Sequence, residues 1–131
     1  MIKKLAAAAL GAVLAMATQG TPALAAPKLK APKVDILSSV QTFFPDANYY
    51  LVDTTLRWKA VKGADVYLVC GAWNGAPLGC HTGIHTTTYT YSVSGIPAGA
   101  TLSYYVQACD TVTGPAEVCV RSQDVSLTVG G

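Results

Sequence analysis

Thr87-Thr88-Tyr89-Thr90-Tyr91-Ser92-Val93-Ser94-Gly95-Ile96-Pro97-Ala98-Gly99-Ala100-Thr101-Leu102-Ser103-Tyr104-Tyr105-Val106-Gln107-Ala108-Cys109-Asp110 is the stretch on which the fold turns. It holds two alternating runs around a Gly-Ile-Pro-Ala-Gly corner. Tyr89, Tyr91 and Val93 share one face of the first run; Leu102, Tyr104, Val106 and Ala108 share one face of the second. Successive side chains of a strand point to opposite faces, so this alternation marks two strands, each with one buried side. Glycine and proline at the corner punctuate them.

The same pattern extends outward in both directions. Val34 to Val40 is a first strand, Gln41 to Asn48 a loop whose Phe43 and Phe44 are expected to cap an end of the core, and Tyr49 to Val52 a short further piece of strand. In Thr55-Leu56-Arg57-Trp58-Lys59, Leu56 and Trp58 point inward while Arg57 and Lys59 point out. After a turn at Val61 to Ala64, Asp65 to Gly71 puts Tyr67 and Val69 inside, with Val66, Leu68 and Cys70 on the other face. Asn74-Gly75 is a hairpin signal, because both residues tolerate positive φ. A short strand through Cys80 and His81 follows. The last strand, Val118 to Val129, has a fault: Val118 and Val120 have one parity, Val125, Leu127 and Val129 the other. One strand buries both sets only if it gains a residue, so a bulge or break is expected between Arg121 and Asp124. Beyond the leader no helical period is visible. The expectation is an all-β two-sheet sandwich of about seven strands.

Residues 1–25 carry the marks of a signal peptide: Lys3 and Lys4, then the apolar run Leu5 to Met16, then Ala23-Leu24-Ala25 as a small-x-small cleavage pattern. A membrane anchor is the alternative, against which the shortness of the run and the polar break at Thr18-Gln19-Gly20 both count. No later stretch is apolar enough to form a spanning helix, so the expected product is secreted or periplasmic. Residues 26–33 form a Pro/Lys-rich arm and 34–131 one domain. The whole chain has nine Lys and Arg against seven Asp and Glu; loss of Lys3 and Lys4 leaves the domain near neutral. That argues against a nucleic-acid partner. Lys28, Lys30 and Lys33 in the arm read as a solvated tether or as a weak contact for an anionic surface.

Cys70, Cys80, Cys109 and Cys119 are even in number behind a signal peptide, so disulfides are expected. Three pairings exist. Each of the segments Cys70–Cys80 and Cys109–Cys119 encloses a hairpin turn, which favours local pairing. The enclosed nine residues are too many for the usual zinc spacing of two to four. His81 and His85, four apart but in a strand end and loop, read as solvated side chains rather than metal ligands. No metal or other cofactor is expected. The chain has no Gly-x-Ser-x-Gly elbow, no His-Glu-x-x-His and no phosphate-cradling glycine loop, so no catalytic residue is assigned and no enzymatic activity is expected.

Leu56-Arg57-Trp58, the turn Gly63-Ala64-Asp65 into Val66-Tyr67-Leu68-Val69, Tyr91-Ser92-Val93-Ser94-Gly95-Ile96 before Ala98-Gly99-Ala100, and Tyr104-Tyr105-Val106-Gln107-Ala108 together resemble a fibronectin type III domain. The likeness runs from Thr55 to Val129 and more weakly from Pro32. It departs in two places: Leu102 stands where the family has its corner tyrosine, and the link from Val40 to Thr55 is long. The resemblance implies an immunoglobulin-like sandwich in which the strands of Cys70 and Cys109 are neighbours. That makes Cys70–Cys109 the competing pairing, though it strands Cys80 and Cys119 on opposite sides of a sheet. It also places Val66, Leu68 and Tyr105 side by side as an apolar strip facing water, with Trp73 exposed at a hairpin tip. Such a strip suggests a partner surface, with shielding by loops or the arm as the alternative. The functional expectation is a secreted binding or adhesion module for a protein, cell-surface or matrix component. The alternatives are a self-associating structural subunit and, further off, an inhibitor presenting the loop Thr111 to Glu117.

Overall fold

Eight strands form among residues 29–112 and 117–130, the part of the chain that the structure, a computed structural model, describes. The expected leader and residues 113–116 of the expected Thr111 to Glu117 loop lie outside it. In chain order the strands are β1 (Val34–Phe44), β2 (Tyr49–Trp58), β3 (Val66–Trp73), β4 (Ala76–Ile84), β5 (Thr88–Ile96), β6 (Thr101–Asp110), β7 (Val118–Arg121) and β8 (Val125–Thr128). One sheet has the order β1-β2-β5. The other runs β4-β3-β6-β7, with β8 pairing β6 beyond β7. All pairings are antiparallel. The chain is an all-β, immunoglobulin-like two-sheet sandwich.

The alternating residues meet between the sheets. Val52, Leu56 and Trp58 from β2 and Tyr91 and Ile96 from β5 face Tyr67 and Val69 from β3 and Leu102, Tyr104, Val106 and Ala108 from β6. The sheets are also joined by a polar contact. Thr54 is fully buried, and its hydroxyl shares a 3.0 Å hydrogen bond with the Tyr104 hydroxyl. Burial raises the Tyr104 pKa; the Thr54 bond acts against that shift. Gly71 lets the sheets approach, because a Cβ there would lie 2.9 Å from Cζ of Tyr91. The Tyr91 hydroxyl donates to the Gly79 carbonyl.

The parity fault resolves as a break. β7 ends at Arg121 and β8 begins at Val125, and both pair with β6. Between them Ser122 is buried and stands in for a missing rung: its N–H donates to the Val106 carbonyl, and its Oγ accepts from the Val106 N–H. Val120 opposite Ala108 and Val125 opposite Tyr104 thereby turn to the same side, out of phase in sequence yet in phase in space.

The first hairpin differs from the sequence expectation. Residues 41–44 continue β1 instead of leaving it as a loop, and residues 49–58 form one strand instead of two pieces. The long link from Val40 to Thr55 is therefore a hairpin extension closed by the turn at 45–48, where Asn48 has φ 56°. A bulge between Ile36 and Ser38 lets β1 change register. Phe43 and Phe44 do not cap the core; both are exposed, and parity splits them, Phe44 onto the outer face of its sheet and Phe43 onto the other. The arm is not wholly free either, since Leu29 and Pro32 are buried.

Candidate interaction surfaces

Both disulfides are local. Cys70–Cys80 and Cys109–Cys119 join residues directly opposite in the β3–β4 and β6–β7 ladders, with Cα atoms 4.0 and 4.1 Å apart. The competing Cys70–Cys109 pairing is absent. These bonds decide the fate of the strip expected on the outer face of this sheet. Cys70 lies opposite Tyr105, and Val66 lies opposite Cys109, so the sulfurs sit among the apolar side chains. The Arg121 guanidinium lies 3.7 Å from the centre of the Tyr105 ring and is itself paired with Asp124. Val66, Leu68 and Tyr105 do point outward, yet all three are half-buried rather than exposed. Trp73 is half-buried too and packs on the core. The parity that turns Tyr67 and Val69 inward also turns Trp73 inward, a signal present in the sequence but overridden there by its place beside a turn.

Exposed apolar surface lies instead on β1. Leu37, Val40, Phe43 and Phe44 are 49%, 57%, 45% and 40% exposed. Val40 and Phe44 fall on the outer face of the three-stranded sheet. Phe43 falls on the other face, opposite Tyr50, and Leu37 occupies the bulge. At the tip the rings pair across the hairpin on both faces: Phe43 with Tyr50 at 4.9 Å and Phe44 with Tyr49 at 5.5 Å between centroids. β1 is also the outer strand of its sheet, with one side of its backbone unpaired by any strand among the described residues. No single residue type announced this surface; the Phe43-Phe44 pair was its only local mark.

The histidines go to separate duties. His81 Nδ1 shares a hydrogen bond with the Tyr89 hydroxyl, and its ring stacks 4.5 Å from Tyr91, which ties exposed β4 to β5 of the facing sheet. His85 Nδ1 lies 3.0 Å from the Asp65 carbonyl. Asp65 in turn receives the Thr111 hydroxyl and N–H, which hold its carboxyl below the ordinary range. Among the described residues, Cys109, Glu117 and Cys119 come close enough to share a metal ion. Both sulfurs are spent in a disulfide, leaving one exposed carboxylate as donor. No helix among the described residues is long and apolar enough to cross a membrane. No protein-family model matches the chain, and no curated protein matches it.

Proposed function

We propose that the mature chain is a secreted, non-catalytic binding module of fibronectin type III-like build, which engages a protein or cell-surface partner through the β1–β2 hairpin. The observation that carries this reading is the exposed apolar row Val40 and Phe44 on an outer strand. Apolar area left in water disfavours the free state by about 25 cal/mol per Å², and a covering partner recovers that. An unpaired strand edge adds backbone hydrogen bonds to the same contact. The two disulfides support an extracytoplasmic location, where such bonds persist. The strand order, with three strands facing a sheet of three plus the interrupted last strand, supports the module type.

The test compares Val40→Ser with Phe44→Ser against Leu68→Lys with Tyr105→Lys, each pair in the mature chain. Retention of the producing cell's envelope components on the immobilised protein is the readout. The reading expects the first pair to lose what wild type retains while staying folded. If only the second pair loses it, the contact belongs to the clipped sheet. The free edge also favours a second reading, a self-assembling subunit. Sedimentation over a wide concentration range separates the two, since a persistent monomer rules out assembly through β1.

A further inference from the structure

At the opposite end of the β1–β2 hairpin, where Val34 pairs with Trp58, the chain builds a groove of about 840 Å³. One wall is the arm at residues 30–33 and the other is the β2–β3 connection at residues 59–62. The described residues contain six Lys and Arg, and five of them line this groove: Lys30, Lys33, Arg57, Lys59 and Lys62. Asp35 is the acid among the lining residues. The sixth cation, Arg121, is the one that forms an ion pair among the described residues, with Asp124. A domain with balanced charge overall thus concentrates its unpaired positive charge in one cleft. Like charges gathered around a concave surface raise the local potential and draw in anions.

We infer that this groove binds a linear acidic polysaccharide. A single small anion answers only one or two of five cations spread over two walls, so a chain with repeated charges is the better complement. Lysines predominate, and an ammonium acts as a point charge without the planar fork that selects a particular acid geometry. Single-stranded nucleic acid calls for exposed aromatic faces on which bases stack. The aromatic residue of the groove is Trp58, which is 3% exposed and lies edge-on to Tyr67, so it offers no such face. The groove's apolar lining is aliphatic, from Ala31, Pro32, Ala60 and Val61, and presents no exposed aromatic partner to the Trp and Tyr anchors on which peptide recognition most often depends. A bilayer presents a plane, whereas these cations line a concave groove. What remains is a hydroxylated chain that lies along aliphatic walls of Ala31, Pro32 and lysine stems with its carboxylates or sulfates toward the ammonium groups. The site is independent of the hairpin surface proposed above.

Titration calorimetry of the mature chain with an oligogalacturonate tests it. Binding is expected at low ionic strength and is expected to weaken as salt rises. Lys59→Gln with Lys62→Gln should weaken it about tenfold, because each exposed charge contributes modestly. Arg121→Gln, outside the groove, should leave it unchanged. Both lysines are exposed, and thermal melts of the variants check that the fold is intact. The inference is overturned if oligogalacturonate does not bind, if the lysine pair has no effect, or if Arg121→Gln weakens binding equally. It is also overturned if poly-glutamate, single-stranded DNA or anionic phosphatidylglycerol vesicles bind as tightly as the polysaccharide.

Discussion

Two edge strands of this sandwich are almost wholly exposed, and they are held in opposite ways. In β4 every residue but Ile84 is exposed, and a disulfide to β3 and the His81 contacts with Tyr89 and Tyr91 keep it in place. In the outer half of β1 there is no covalent tie; two aromatic pairs bridge it to β2. β4 carries mostly small and polar residues, so it buries too little to hold itself and relies on the clip. β1 carries large apolar residues that its own domain leaves in water. Exposure alone does not mark an interaction surface. Exposed apolar side chains with no structural duty do.

The largest effect is expected at the shared root of the fold. Trp58 ends β2 beneath both hairpins, and Trp58→Ala should cost about 3–5 kcal/mol. Urea denaturation reads this directly, and an unchanged midpoint would mean that Trp58 is not core. Next, Cys70→Ala with Cys80→Ala should cost roughly 2–3 kcal/mol through restored chain entropy. Hydrogen exchange should then quicken in β4 while β1 keeps its wild-type rates; equal loosening of both edges would show that the clip serves the whole sandwich.

A smaller effect is expected where the sheets meet. Tyr104→Phe leaves the buried Thr54 hydroxyl without its partner and should cost about 1–2 kcal/mol. The wild-type contribution also has a pH window. Burial raises the Tyr104 pKa in the folded state, so its stabilisation is fully present below the ordinary tyrosine value near 10 and is lost as pH rises through the higher folded value. The variant should lose less stability than wild type between neutral and strongly alkaline solution. The smallest effect is expected on the outer face of β1. Val40→Ser, which leaves the Phe44–Tyr49 pair in place, should change stability by no more than about 0.5 kcal/mol. A larger loss would give that side chain a structural duty after all.

Local pattern determined a good deal by itself. Period-two alternation decides which face of a strand is apolar, so Leu56 and Trp58 of β2, Tyr67 and Val69 of β3, Tyr91 of β5 and Leu102, Tyr104, Val106 and Ala108 of β6 were legible before any contact was known; Ile96 was not, because a register shift in β5 breaks the alternation. The opposed parities of Val120 and Val125 demanded a break, because a strand has no other way to turn both inward. Cysteines flanking a single hairpin turn meet with little further topology, so both disulfides were readable as well. What the tertiary structure decided is how far each face is covered. The outward parity of Val66, Leu68 and Tyr105 was correct, but their shielding depends on sulfurs and a guanidinium brought from β4 and β7. The exposure of Val40 and Phe44 depends on nothing among the described residues packing over the outer face of their sheet. The basic groove joins lysines from residues 30–33 to others from residues 57–62, and each group alone reads as solvated surface. Parity is a property of one strand, whereas coverage is a property of what lies across from it, and only folding brings the two together.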